Sequence, residues 1–371
     1  VTDKIREKAN SIVGDSKDPH EITRKLYEWV ATNVHYAGNC VGLGAVVPHD
    51  TDFILENRIG DCKDHATLLQ ALLQAKGIEA TQALINAGSS YQLDTIPVVS
   101  MVNHVINYIP SMDLFLDSTS DSTPLGMLPE GDQSKPVLLV QNYREGSKTP
   151  TVKPGTNTQK IHTEITIHAD GSAHAETRID LTGELAANYR RYFRNASKDY
   201  EDDIVKNYLK RIGLEGSGTF TKDDPKALTD TYHYGANMDI SNLVFLPSTG
   251  GFRVEPLMFN PMPLVSWSSA AFADLSELTE LECSNVTTEE TYVYHLPDGM
   301  KIIATPDDSN ISNNRVSFTS THKLDGNTLT VFQKLDDRTP GAVCPVAMAE
   351  EDKAFAKKTL PTLKSQIIFK M

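Results

Sequence analysis

Cysteine is scarce in this chain of 371 residues: four copies, at positions 40, 62, 283 and 344, with no Cys-x-x-Cys interval. That excludes a scaffold built on disulfides and the usual spacing of a structural zinc site. Cys283 and Cys344 are left with two readings, a bonded pair or buried thiols. Positive charge is also short, 35 Lys and Arg against 49 Asp and Glu, a net charge of −14. A surface of that sign repels polyanions, which disfavours nucleic acid and anionic lipid as partners. No apolar run approaches the roughly 18 residues needed to span a bilayer. The opening Val1-Thr2-Asp3-Lys4-Ile5 lacks a signal peptide's apolar segment and an initiator methionine, so a longer precursor is expected. No calcium-loop pattern, internal repeat or low-complexity tract is found, and no cofactor or metal is called for.

What the chain does contain is enough residues for two domains with sizeable cores, and one motif that concentrates chemistry. In Gly60-Asp61-Cys62-Lys63-Asp64-His65, Asp61 caps a helix whose apolar positions Ala66, Leu69 and Leu73 recur at helical spacing, and Gly77 closes it. Cys62 therefore falls in the first turn, where unpaired backbone N–H groups favour a thiolate while the neighbouring carboxylates oppose it. Activation needs a base. His104 opens the run Val105-Ile106-Asn107-Tyr108-Ile109, and Leu114-Phe115-Leu116 leads into Asp117 after the turn Pro110-Ser111-Met112-Asp113. This pattern predicts a β-hairpin. Pairing Tyr108 with Asp113 puts His104 opposite Asp117 on one face, within about 4.5–5.5 Å between Cβ atoms. Cysteine, histidine and aspartate then supply nucleophile, general base and orienting group. His65 is expected to be structural, Asp61, Asp64 and Asn103 to cap or to support the site from behind, and Lys63 to be solvated.

These elements resemble the bacterial transglutaminase-like superfamily, in the multidomain type whose papain-like core is flanked by β-rich domains. The resemblance rests on the leading helix from Ile22 to Tyr36, the approach from Pro48 to Leu55, the helix from Gly60 to Ala80, Asn103-His104 and Leu116-Asp117-Ser118-Thr119. It covers about residues 5–140; Ile59 and Val102 stand where that family often has aromatics. His295-Leu296-Pro297-Asp298-Gly299 and the strands after it resemble the C-terminal extension of the same proteins. The resemblance implies a Cys62–His104–Asp117 triad, a preceding β-rich domain and secretion signal, and a periplasmic or extracellular location.

The rest of the pattern predicts an α+β chain, a helices-on-antiparallel-sheet core followed by a β-rich accessory domain. The catalytic domain is set at residues 1–147, a linker at 148–158 where Pro, Thr, Gly and Asn gather, and the accessory domain at 159–371. Asp18-Pro19-His20-Glu21 reads as a capping box with proline in the first turn, leading to the stripe Ile22, Leu26, Trp29, Val30 and Val34. The glycine-rich loop from Gly38 to Gly44 is expected to border the cleft. Later strands are expected at residues 160–168, 173–181, 291–295, 316–320 and 328–333, with helices at 199–212 and from Ala347 to Leu360, the last stopped by Pro361. The function expected is thiol-dependent acyl transfer or hydrolysis on peptide or glutamine amides, hydrolysis being preferred over cross-linking. A zinc set from Cys40, His49, Cys62 and His65 is the chemical rival, disfavoured by its long interval. A non-catalytic peptide-binding module is the rival from another class. The accessory domain, lacking a titratable constellation, is expected to recruit a protein or peptide.

Overall fold

The computed structural model describes residues 1–38, 44, 46–88, 91–92, 101–141, 146–271, 280–283 and 285–371. Cys40, most of the Gly38–Gly44 loop and part of the expected turn at 87–90 lie outside them. Two compact units are present: Val1–Val152 with Lys226–Thr229, and Lys153–Pro225 with Asp230–Met371.

The first unit begins with α1 (Asp3–Val13) and α2 (Pro19–Asn33). Ile5, Ala9 and Val13 recur at every fourth residue of α1 and are fully buried, as one stripe of a helix should be. Asp18 caps α2 by accepting from the His20 amide at 3.2 Å, with Pro19 where a missing N–H costs nothing. Glu21 does not close a box; its carboxylate is drawn to the Arg24 guanidinium at 2.7 Å, a charged partner one turn away. After β1 (His35–Tyr36), α3 (Thr51–Asn57) and β2 (Ile59–Gly60) comes α4 (Cys62–Ala75). Leu68, Leu69, Leu72 and Leu73 of α4 are buried without exposure in a core shared with α1 and α2. Gly77, at φ 74°, lets the Ile78 amide turn back to the Leu73 carbonyl and end the helix.

Strands β3 (Thr81–Ile85), β4 (His104–Ile109), β5 (Leu114–Leu116) and β6 (Leu138–Leu139) form an antiparallel sheet in the order β5-β4-β3-β6. Ile109 and Leu116 pack with the helices, while Ile106 and Phe115 enter a second cluster on the other face with Ala83, Ile85 and Leu139. The expected hairpin is present, but its register is moved by two: Tyr108 pairs with Phe115 and Ile109 with Leu114. Asp113, at φ 48°, closes the turn Pro110–Asp113 tightly enough for the ladder to begin at once. An even slip keeps every side chain on its face, so His104 and Asp117 become diagonal rather than direct neighbours. Leu228, from the short Lys226–Thr229 segment, packs against the helical core of this unit.

The second unit is built on an eight-stranded sheet of β7 (Asn157–Ile167), β8 (Ala173–Thr182), β9 (Gly216–Lys222), β10 (Thr231–Ile240), β13 (Val286–His295), β15 (Ser309–Ser312), β16 (Val316–Asp325) and β17 (Thr328–Asp337). Its order is β15-β16-β17-β13-β7-β8-β10-β9, antiparallel except where β13 meets β7. β7 starts inside the stretch read as linker, and β7 and β8 alternate buried and exposed residues along their length. The smaller strands β11 (Gly250–Arg253), β14 (Lys301–Ala304) and β19 (Gln366–Lys370) make a three-stranded sheet; β12 (Glu280–Glu282) pairs with β18 (Val343–Pro345). Helices α5 (Gly183–Arg194), α6 (Lys198–Arg211), α7 (Leu264–Ala270) and α8 (Ala347–Lys364) complete the unit. α5 has no counterpart in the expected elements. α8 runs through Pro361 rather than stopping there, because a proline in the last turn removes only one helical bond and Leu363 beyond it is buried. Cys283 and Cys344 are joined as a disulfide.

Replacing Leu69 by Ala should lower the stability of the protein to urea by about 2–5 kcal/mol, since the side chain has no exposure and a cavity is left in the helical core. A loss below about 0.5 kcal/mol would show that this core does not hold the unit together.

Candidate active site

Cys62 is the first residue of α4, half-buried, and the helix start that presents it is closed on both sides. Asp61 accepts from the Lys63 amide at 3.2 Å and the Asp64 amide at 3.4 Å, while the Asp61 amide donates to Asp64 Oδ2 at 3.2 Å. This reciprocal box satisfies orphan donors of the first turn without using a side chain that faces the thiol. Asp64 is held in turn by His49, whose backbone N–H and Nδ1 lie 2.8 and 2.9 Å from its two oxygens. Burial raises the pKa of Asp64, but the bonds from His49 outweigh it and leave the carboxyl below its usual range. Gly60 leaves no room for a side chain: a Cβ there would sit 2.5 Å from Asp64 Cβ. Lys63 is not solvated as expected. It is 7% exposed, with its ammonium bonded to the Asp61 carboxylate.

His104 begins β4, and its Nε2 lies 3.2 Å from Asp117 Oδ2 just past the end of β5. Asp117 is buried, and its other oxygen accepts from the Thr119 amide at 2.9 Å and the Thr119 hydroxyl at 2.7 Å. Tyr27 of α2 donates to the Asp117 carbonyl at 3.1 Å and the Thr123 carbonyl at 2.9 Å, fixing the backbone behind the carboxylate. His65 lies on the same side: Nδ1 donates to the Ser118 carbonyl at 2.8 Å. Burial lowers its pKa despite that bond, so His65 braces the strand end as a neutral ring. Asn103 bonds to both backbone groups of Ala87, at 2.8 and 3.2 Å, beyond the end of β3.

One carboxylate in this cluster had no sequence signal. Asp132, 3% exposed on a 3-10 turn (Glu130–Asp132), places Oδ2 4.0 Å from His104 Nε2. An aspartate in a Gly-Asp turn is an ordinary loop residue, and only the return of the chain beside β4 and β5 reveals it. Burial disfavours a charged His104, yet the bond to Asp117, the nearby Cys62 thiol and the two carboxylates prevail and raise its pKa to about 11. Burial likewise opposes charge on Asp117, but His104 and the hydrogen bond with Asp132 hold it down at about 2. Asp132 goes the other way, pushed up to about 8 by burial and by the Asp117 charge. Among the described residues no hydrogen bond of good geometry joins Cys62 to the ring; such contacts are often loose without substrate. Nε2 of His104 is committed to Asp117, which leaves Nδ1 as the ring's other polar atom.

His104, Asp117 and Asp132 each offer a ligand atom within 4.8 Å of the others. A cation there would have to displace the bond between Nε2 and Asp117, and the proton that burial keeps on Asp132. Of the zinc set weighed from the sequence, His49 is engaged with Asp64, His65 with Ser118, and Cys40 lies outside the described residues.

Residues 6–107 match the transglutaminase-like superfamily. A second match, over residues 255–336, is to a domain of unknown function with solved structures. No curated protein sequence matches the chain. Among solved structures, a protein from Parabacteroides distasonis described as "a putative protease" shares the fold, with a TM-score of 0.60 at 14% identity over 99% of this chain. The present chain spans 55% of that protein's length. The residues that match the transglutaminase-like superfamily include Cys62 and His104, while Asp117 and Asp132 lie past them.

Gly60→Ala should disturb the capping box, lowering stability by about 1 kcal/mol and slowing alkylation of Cys62. Gly38→Ala, whose added Cβ meets nothing within 4 Å, is the control and should change neither. Equal behaviour of the two variants in thermal melts and alkylation assays would remove the box from the site.

Proposed function

We propose that this chain is a thiol enzyme that transfers the acyl group of a peptide or glutamine amide, with Cys62 as nucleophile, His104 as base and Asp117 as orienting group. The observation that carries this reading is His104 Nε2 on Asp117 at 3.2 Å, with the thiol at the head of α4 beside the same ring. In the proposed cycle the thiolate attacks the amide carbonyl, and the tetrahedral oxyanion is met by backbone N–H at the helix start. His104 then returns the proton to the leaving amine, leaving an acyl-enzyme. Water releases the acid; an amine acceptor would give a cross-link. Hydrolysis is preferred, in keeping with the protease description of the structural neighbour.

Asp132 takes the part of a positioning residue in this scheme. Its buried Oδ2 finds no partner as an ionised acceptor, and a proton on it supplies a donor to Asp117. The shared proton keeps two buried carboxyls from carrying two charges beside one imidazolium. The Cys283–Cys344 disulfide favours an oxidising compartment and so supports a periplasmic or extracellular setting.

At pH 6 a free thiol is almost wholly protonated. Cys62 should nonetheless react with iodoacetamide there, because the thiol sits beside a His104 held cationic up to about 11. His104→Ala should abolish the low-pH reaction, and Cys62→Ala and His104→Ala should each abolish amide turnover, the double variant being little worse. Asp117→Asn should keep more activity than Asp117→Ala. Cys62 inert at pH 6, as shown by peptide mapping, would overturn the nucleophile assignment.

For Asp132, the Asn variant, which can still donate to Asp117, should keep the alkylation rate within about threefold. The Leu variant should lose about tenfold or more. Equal rates in both would sink the role given to Asp132. Chelator treatment should leave alkylation and the melting temperature unchanged; a fall in either, with a stoichiometric ion in elemental analysis, would put a metal in the cluster instead.

A further inference from the structure

The second unit contains two adjoining cavities, about 470 and 540 Å³, that share Tyr208, Arg211, Phe259 and Asn260. The larger is lined by rings: Tyr189 and Phe259 stack at 6.1 Å, and Tyr192 and Tyr200 stand 46% and 40% exposed at its side. The smaller lies among α6, the segment 253–265, β13 and the end of α8. An aromatic concavity with a few convergent polar groups is the usual form of a ligand site.

Two independent features point to what would fill it. Inside, one buried acceptor has no donor, Asn260 Oδ1 in a residue 9% exposed, while Glu290, 2% exposed, has the Leu264 amide beside its carboxyl. Both residues line the smaller cavity, and the second oxygen of Glu290 is already engaged by the Tyr292 hydroxyl at 2.7 Å. A buried acceptor without a partner is destabilising, and an incoming N–H or O–H can offset that. At the rim, Arg211, Arg253 and Lys364 are exposed, and no ion pair among the described residues engages them, in a chain whose net charge is −14. Arg211 lies over the Tyr208 ring, 4.8 Å from its centre. Among the described residues that line the site, Glu255 and Glu290 are the acidic ones opposing these cations.

We propose that this cleft binds an acidic peptide in extended form. A backbone N–H of the peptide supplies the donor that Asn260 lacks. Its carboxylates meet Arg211, Arg253 and Lys364, and its apolar side chains lie against Phe259 and Leu264. A neutral glycan answers the acceptor but leaves the cations unmet, and a bare phosphate answers the cations but has no N–H donor. The proposal does not depend on turnover at Cys62.

The test is fluorescence anisotropy on the full chain with a labelled peptide alternating glutamate and leucine, against one with lysine for glutamate. The glutamate peptide should bind at least about tenfold more tightly. Arg211→Glu with Arg253→Glu should weaken it by about tenfold or more, and Asn260→Leu should weaken it while charge is unchanged. Circular dichroism confirms that each variant is folded; the rim variants keep the test open should Asn260→Leu unfold. No preference for glutamate, or no effect of the rim charges, would overturn the proposal. So would displacement of the peptide by maltoheptaose or inorganic phosphate at concentrations where unlabelled peptide fails to compete.

Discussion

A carboxylate that is almost fully removed from water governs the first unit. Asp117 is 3% exposed, and a charge in that position survives only where donors surround it. The donors come from different parts of the chain: His104 from β4, Thr119 from the loop after β5, and, on the same residue's carbonyl, Tyr27 from α2. Asp132, also hydrogen-bonded to Asp117, stands 4.0 Å from the His104 ring. Helix, sheet and loop are thus bound to one point by polar contacts as well as by the apolar core. His65 adds a further strut from α4 to Ser118, so the helix that presents Cys62 and the strand end that carries Asp117 share a hydrogen bond.

The second constraint is local. The start of α4 must keep its buried polar groups satisfied while Cys62 at its head stays half-buried. The box between Asp61 and Asp64 does this from behind, and the parallel pairing of Tyr36 with Gly60 ties the residue before it to the end of β1. Asn107, buried in β4, donates to the Ala66 carbonyl at 3.0 Å and pins the same helix to the sheet. The position of Cys62 is therefore set by contacts from the cap, from β1 and from β4.

Local signals were the legible ones. The Asp61 cap, the leucine stripe of α4 and the stop at Gly77 each depend on neighbours within a few residues, and the sequence shows all three. The hairpin is half-legible: alternation reveals its faces, but the register depends on the φ of Asp113, which composition does not disclose. Lys63 was misread because helix position alone suggests solvent, whereas its ammonium folds back on Asp61 two residues earlier. Asp132 was invisible because its partners, His104 and Asp117, are 28 and 15 residues away and nothing periodic links them. In the second unit the strands announced themselves by alternation, while α5 did not: its buried Arg190 breaks the apolar stripe that a helix normally shows.

Leu228 makes the first unit discontinuous in sequence. The chain leaves that unit near Val152, returns for Lys226–Thr229 to place one apolar side chain in the helical core, and departs again. A fragment ending at the obvious composition break would lack that side chain and bare the surface it covers. The unit that carries Cys62 is therefore not a module that one cleavage can liberate intact, and an evolutionary exchange of accessory units would have to transplant the return segment along with its host.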